Sequence, residues 1–216
     1  MMDAQTIAYL APGFVAGLTL HEFSHALVAH RLGDNTAAQL GRLTLNPLKH
    51  LDFFGSIMLV FVGFGWAKPV PVNPANFHSP RQDMLWVSLA GPFSNLLLAL
   101  TIGSVIQVFF ANDLLRASGS DSPVLIVLLQ AVWINVILAI FNMIPLPLLD
   151  GSSLLELAIP RRWYLHYLII RGIGPAILIG LFIVSSLLGF SIFSRVLLPI
   201  ASPVFQFCLG GWSIFA

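Results

Sequence analysis

Long apolar runs alternate with short polar or Gly- and Pro-rich segments along the chain. The runs long enough to cross a bilayer as helices cover residues 5–32, 83–110, 124–144, 163–188 and 193–215. Two of them follow a Ser-Pro pair, Ser79-Pro80 and Ser122-Pro123, which is a favoured order at a helix N-terminus. The pattern therefore predicts an all-α polytopic membrane protein with about five to six transmembrane helices.

The segment between the first two long spans breaks this pattern. Residues 38–47 alternate and end at a turn, which predicts a short strand. Residues 63–74 contain many glycines and prolines and cannot form a continuous helix. Irregular backbone at membrane depth must be buried in protein or line a cavity. We therefore expect a small re-entrant β-hairpin or loop here. The alternative is an interfacial loop with Trp66 anchored among the lipid headgroups.

Composition places the whole chain in a bilayer. Hydrophobic residues make up 57% of it and charged residues 9%, whereas a soluble domain carries about 25% charged residues. The net charge of +1 gives no basis for a nucleic-acid partner, and the single cysteine, Cys208, excludes a disulfide within these residues. We expect one membrane-embedded domain over residues 1–216. Residues 5–32 lack a preceding basic region and so resemble a retained span more than a signal peptide.

Basic residues indicate the orientation of this domain. Two arginines, Arg116 and Arg195, fall on one side of the predicted spans. A larger group falls on the other side: Arg31, Arg42, Lys49, Lys68, Arg81, Arg161 and Arg162. The positive-inside rule then puts the N-terminus outside a cell (inner) membrane, and the residues near Arg31 on the cytoplasmic side.

The first span carries the sequence His21-Glu22-Phe23-Ser24-His25. Spacing i, i+4 puts His21 and His25 on one helical face, where both imidazoles can reach one zinc ion. Glu22 lies beside them and can act as the catalytic base that takes a proton from water. A hydrogen-bonded pair of histidines between helices is the alternative interpretation.

A catalytic zinc site needs a third protein ligand from elsewhere in the chain. Asp150 is the candidate, because Pro145, Pro147 and Gly151 place it on a shaped turn after the third span, near the same membrane side. The alternative for Asp150 is a helix cap or turn residue, since Asp-Gly is a common turn pair.

Three motifs together resemble the site-2 protease family of intramembrane zinc metalloproteases. They are His21–His25, Gly91-Pro92-Phe93-Ser94-Asn95, and the stretch from Asn142 to Gly151. Residues 41–47 and 65–73 look like those of its short prokaryotic members, and no soluble insertion such as a PDZ domain separates the zinc motifs. The resemblance covers residues 13 to 155, within a catalytic core of about 5–155, and leaves the C-terminal helices of about 163–216 unmatched. The family usually has a proline where this chain has Leu148.

The resemblance implies roles for individual residues. Asp150 would be the third ligand of one Zn²⁺ per chain, and Asn142 would help bind the substrate or the oxyanion. Gly63 and Gly65 would belong to a loop that pairs with the substrate as an added strand. Asn95 either bonds across helices or touches the substrate.

The implied function is intramembrane zinc endopeptidase activity on membrane-anchored proteins, as in regulated intramembrane proteolysis. The partners would be a transmembrane protein substrate and the lipid bilayer, with the oligomeric state open. Two alternatives use the same residues: a metal-binding transporter that passes Zn²⁺ or protons, and a catalytically silent relative that binds membrane proteins.

Overall fold

The computed structural model describes residues 3–55, 57, 65–111, 122–174, 177, 180, 181, 184 and 192–211. Helices dominate these residues: α1 (Ala4–Arg31), α2 (Thr36–Gln39), α3 (Pro80–Ala111), α4 (Pro123–Asn142), α5 (Ser152–Ala158), α6 (Tyr164–Gly172) and α7 (Ile192–Cys208). Short 3-10 turns cover Pro47–Lys49, Pro74–Asn76 and Arg161–Trp163. The prediction of a mainly helical chain is confirmed.

The helices α1, α3 and α4 pack against one another and form the body of the molecule. Small residues allow the close approach, because a Cβ atom at Gly13 of α1 would lie only 2.5 Å from the Cα atom of Ala131 in α4. Helix α7 closes the other side of α3 and α4. Their shared core contains Ala99, Ile106, Leu125, Val132, Val136, Ala201, Cys208 and Leu209.

Two helices in the described part of the chain are long and apolar enough to cross a membrane, Pro80–Phe109 and Pro123–Asn142. Helix α1 has 28 residues, but its polar residues keep it out of this class. The predicted fourth span begins as α6, which ends at Gly172, and much of its remainder lies outside the described residues. Helix α7 ends at Cys208 rather than 215. The described residues therefore support a membrane-spanning helical protein without confirming five to six spans.

The predicted strand over residues 38–47 is wrong. Thr36–Gln39 form α2 instead, Gly41 turns the chain with φ 66°, and the side chain of Asn46 accepts the N–H of Leu48 in the following 3-10 turn. Side-chain bonds to nearby backbone groups compete with sheet formation. No strand is present among the described residues to pair with this alternating segment.

Most of the predicted loop over residues 63–74 is described: residues 65–73 are irregular, and Pro74 begins a 3-10 turn. Leu51 and Ala67 form an isolated antiparallel bridge, and the Lys68 N–H donates to the His50 carbonyl over 2.9 Å. On its other side, the Lys68 carbonyl accepts from Arg42 Nη2 at 2.6 Å. These bonds hold together the two ends of the segment between Leu51 and Ala67, but the β-hairpin itself is not confirmed, and residues 56 and 58–64 lie outside the described residues.

Asp34 fastens the end of α1 to the segment that precedes α3. Its fully buried carboxylate accepts from the N–H of Asn73 at 2.8 Å, from Asn76 Nδ2 at 2.7 Å and from both the N–H and hydroxyl of Thr36. Burial opposes ionisation, but these hydrogen bonds outweigh it and hold the pKa of Asp34 below its ordinary value of 3.8. This carboxylate fixes the path of the chain beside the candidate site.

Candidate metal centre and active site

His21 and His25 lie together on one face of α1, as the spacing predicts. Their ring centroids are 4.6 Å apart and the ring planes are nearly perpendicular, at 86°. This face packs against Gly91 of α3. A Cβ atom there would lie 2.5 Å from His25 Nε2 and 2.6 Å from His21 Nε2, so the two imidazoles fit because the residue is glycine.

Asp150 reaches the same place from the turn after α4. The helix ends at Asn142, and the Gly151 N–H returns to the Asn142 carbonyl over 2.7 Å, which closes the turn. Asp150 Oδ2 then lies 3.0 Å from His21 Nε2 and 3.4 Å from His25 Nε2. The structure therefore brings together the three residues that the sequence suggested as ligands.

Leu148 gives this turn an unusual backbone. Its φ of 80° lies in the left-handed region, which a non-glycine residue rarely adopts. A proline, with φ fixed near about −65°, could not adopt it. Leu148 therefore gives this turn a backbone conformation that a proline at the same position would exclude.

Hydrogen bonds at Nδ1 orient both imidazoles. His25 Nδ1 lies 2.7 Å from the carbonyl oxygen of Val87 in α3, and His21 Nδ1 lies 2.7 Å from Asn95 Oδ1. A carbonyl can only accept, so His25 Nδ1 carries the proton when that ring is neutral. Its Nε2 lone pair is then available for a metal, an arrangement typical of metal-binding histidines.

The three side chains fit a zinc ion. Their ligand atoms all lie within 4.8 Å of one another. Tetrahedral zinc with bonds of about 2.0–2.1 Å separates neighbouring ligand atoms by about 3.3 Å, close to the 3.0 and 3.4 Å found here. Asp150 Oδ2 is also buried without a hydrogen-bond partner among the described residues. Such an atom is costly to bury unless a cation lies beside it.

Glu22 lies next to the first histidine and is buried. Its Oε2 accepts the N–H of Val70 over 2.9 Å. Pro69 and Pro71 have no N–H, so Val70 is the one residue of this tripeptide that can donate from its backbone. The hydrogen bonds of the Lys68 backbone to His50 and Arg42 hold the segment that brings this donor to Glu22.

The remaining predicted site residues are those suggested to bind the substrate or the oxyanion. Asn142 Nδ2 donates to the Leu138 carbonyl of its own helix at 2.9 Å. Asn95 is fully buried, and its amide forms hydrogen bonds to groups of α1 and α4. Gly65 lies on irregular backbone, and Gly63 is outside the described residues.

Several groups that position the candidate site or the loop beside it were not predicted from the sequence. The carbonyl of Val87 and the N–H of Val70 are backbone groups, which carry no side-chain signal. Arg42 and His50 resemble surface loop residues in the sequence, yet both are buried beneath the loop end. For Val70, the sequence does carry a signal, because the prolines on either side leave its N–H as the single backbone donor of the tripeptide.

Comparison with known proteins agrees with this geometry. The model of Peptidase family M50 matches residues 9–184. The Bacillus subtilis (strain 168) protein named "Putative zinc metalloprotease YwhC" is 44% identical over 159 residues, which cover 70% of this chain and 69% of that protein. The Mycolicibacterium smegmatis protein named "Putative zinc metalloprotease Rip2" is 30% identical over 180 residues, covering 76% of this chain and 66% of that protein. No solved structure matches significantly. The chain belongs to Peptidase family M50, the site-2 protease family.

Proposed function

We propose that the protein is an intramembrane zinc endopeptidase that hydrolyses peptide bonds of membrane-anchored proteins. The main support is that His21, His25 and Asp150 lie close together beside Glu22 within a bundle of apolar helices. Membership of a metallopeptidase family supports the protease activity and the zinc cofactor. The membrane-anchored substrate rests on the apolar helices that surround the site.

Each site residue has a distinct task in this proposal. His21, His25 and Asp150 would hold the ion, which when bound supplies a Lewis acid for the scissile carbonyl and for water. Glu22 takes a proton from the attacking water and later gives it to the leaving amine. The Val70 N–H holds the Glu22 carboxylate in place for both transfers.

The substrate would bind beside the loop that ends at residues 65–70. An unwound substrate segment offers backbone groups that can pair with an extended loop, and Gly63 and Gly65 are the proposed contact positions. Asn142 would turn from the Leu138 carbonyl to donate to the oxyanion. Both roles follow from the family resemblance and the position of Asn142 at the end of α4.

We place this single domain in the inner membrane as a multi-pass protein, with its N-terminus outside and the site in the cytoplasmic half. Support comes from the basic residues between the first two long helices and from the apolar character of α3 and α4. Regulated proteolysis of a membrane-anchored substrate is the physiological role that this location favours.

Replacing Glu22 tests the mechanism. Glu22→Gln keeps the size of the side chain and removes the base. We expect purified Glu22→Gln protein to bind zinc like the wild type while cleavage of a model transmembrane substrate is lost. Asp150→Ala is the complementary variant and is expected to lose both zinc and cleavage.

The same assay separates the competing functions. Zinc or proton flux into liposomes without proteolysis by the wild type would favour a transporter. Wild-type protein that binds a membrane protein but cuts nothing would favour a silent relative. Unchanged cleavage by Glu22→Gln would refute the proposed role of Glu22 as the base.

A further inference from the structure

Two asparagines, Asn95 of α3 and Asn135 of α4, are completely buried between the packed helices. A buried amide is costly unless its donors and acceptor are satisfied. Here the partners of both side chains are protein groups, and the chain of contacts ends on His21. The direction of each hydrogen bond along this chain can be deduced.

Asn135 fixes the first direction. Its Nδ2 donates to the carbonyl of Gly13 at 3.2 Å and to the carbonyl of Ala131 at 2.8 Å. Backbone carbonyls only accept, so the amide of Asn135 cannot be flipped without losing both bonds. Its Oδ1 therefore accepts, and it does so from Asn95 Nδ2 at 2.8 Å.

Asn95 passes this direction on to the histidine. Its second amide hydrogen goes to the carbonyl of Gly17 at 3.0 Å, so both of its donors are used. The remaining atom, Oδ1, lies 2.7 Å from His21 Nδ1 and must accept. His21 Nδ1 is then the donor, and its Nε2 lone pair points to the side where Asp150 lies.

Two glycines make room for this arrangement. Gly13 and Gly17 precede His21 at intervals of four residues, which puts all three on one face of α1. A Cβ atom at Gly17 would collide with the side-chain amide of Asn135. The glycines therefore let α4 approach closely enough for Asn135 to reach the carbonyl of Gly13.

We propose that Asn135 and Asn95 are positioning residues that fix the tautomer and ring orientation of His21 for metal binding. We call this chain of hydrogen bonds from Asn135 through Asn95 to His21 the relay. His25 has no such relay, because its Nδ1 is bonded to a backbone carbonyl, that of Val87. His21 is thus the histidine ligand whose basicity depends on replaceable side chains. The proposal rests on the metal site of the proposed function but not on proteolysis.

Zinc affinity in detergent, measured by competition with a chromophoric chelator, tests the relay. We expect Asn95→Leu and Asn135→Leu to raise the zinc dissociation constant by about 10- to 100-fold, the effect usual for partners of metal-binding histidines. Val136→Ala is the matched control, since Val136 is fully buried in α4 beside Asn135 and packs in the apolar core shared with α3 and α7. Its zinc affinity should equal that of the wild type.

A second measurement uses the wild-type protein and so does not depend on the folding of a variant. In zinc-loaded wild-type protein with ¹⁵N-labelled histidine, the His21 Nδ1 proton should be present and exchange slowly with solvent. An unprotonated Nδ1 would overturn the proposal, and so would wild-type zinc affinity in folded Asn95→Leu. Wild-type protein that binds no zinc would instead refute the proposed function, so the two failures are distinguishable.

Discussion

A substitution at Gly91 can distinguish an effect on the metal site from a general effect on helix packing, because both imidazoles occupy the space that a side chain at this position would take. A Cβ atom on Gly91 would lie 2.5 Å from His25 Nε2 and 2.6 Å from both Cε1 and Nε2 of His21. Ordinary contacts of this kind are about 3.5 Å or longer, so Gly91→Ala must push each ring by about 1 Å. Metal–ligand bonds tolerate displacements of about 0.2 Å. The substitution is therefore expected to break the site.

Two effects of different size follow from Gly91→Ala. Overpacking should lower the free energy of unfolding by about 1–3 kcal/mol. Zinc affinity should fall by at least about 10- to 100-fold, the range seen when only the partners of ligands change. Cleavage should fall with zinc occupancy. The loss of affinity is the specific effect, since overpacking by itself lowers stability without moving the ligands.

Gly103 provides the matched control on the same helix. A Cβ atom there would collide with the carbonyl of Cys208, far along α3 from the histidines. Gly103→Ala should therefore show the loss of stability with wild-type zinc affinity. Zinc titration and thermal unfolding in detergent compare the two variants. Wild-type zinc affinity in Gly91→Ala would refute the placement of both imidazoles against this glycine.

The loop contacts lead to two further predictions. Val70→Pro removes the N–H that donates to Glu22 and should lower kcat by about 10-fold or more with a smaller change in KM, since a hydrogen bond to a charged group contributes about 1.5–3 kcal/mol. Val70→Ala keeps the N–H, so its kcat should be close to that of the wild type. Equal kcat values for the two variants would contradict this role of the Val70 N–H. Asp34→Asn should lower the free energy of unfolding at pH 7 by about 2 kcal/mol or more, because the new NH2 group replaces one acceptor oxygen and must face either the Asn73 N–H or Asn76 Nδ2, which are both donors. The pKa of Asp34 is lowered in the folded state, so its contribution is present above its ordinary value of 3.8 and lost as the pH falls through the folded pKa. The difference between Asp34→Asn and wild type should therefore shrink in acid, and a difference independent of pH would contradict this account.

The sequence predicts the three candidate ligands because each of them carries a local signal. Spacing i, i+4 is enough to align His21 and His25 on a helix. The prolines before Asp150 end α4 and leave the carboxylate on a turn, although the sequence alone kept a simple turn residue as the alternative. The contact with both histidines depends on the packing of α1 against α4, which no local pattern encodes.

Local patterns failed where a single side chain controls the backbone. The alternation over residues 38–47 resembles a strand, yet α2 ends at Gln39, Gly41 turns the chain, and the Asn46 side chain accepts the Leu48 N–H in a 3-10 turn. The role of Asn95 could not be chosen from sequence, since a buried amide serves packing or substrate equally well until its neighbours are known. In the structure, Gly17 and Asn135 accept from both of its amide hydrogens, a contact that depends on the packing of the three helices.

Zinc content of the purified protein tests the central claim most directly, because all the proposed chemistry depends on one metal held by His21, His25 and Asp150. Elemental analysis of the wild type should give one zinc per chain after dialysis against metal-free buffer. Asp150→Ala should retain far less zinc while keeping the helical content of the wild type. One zinc per chain in folded Asp150→Ala, or none in the wild type, would contradict this account.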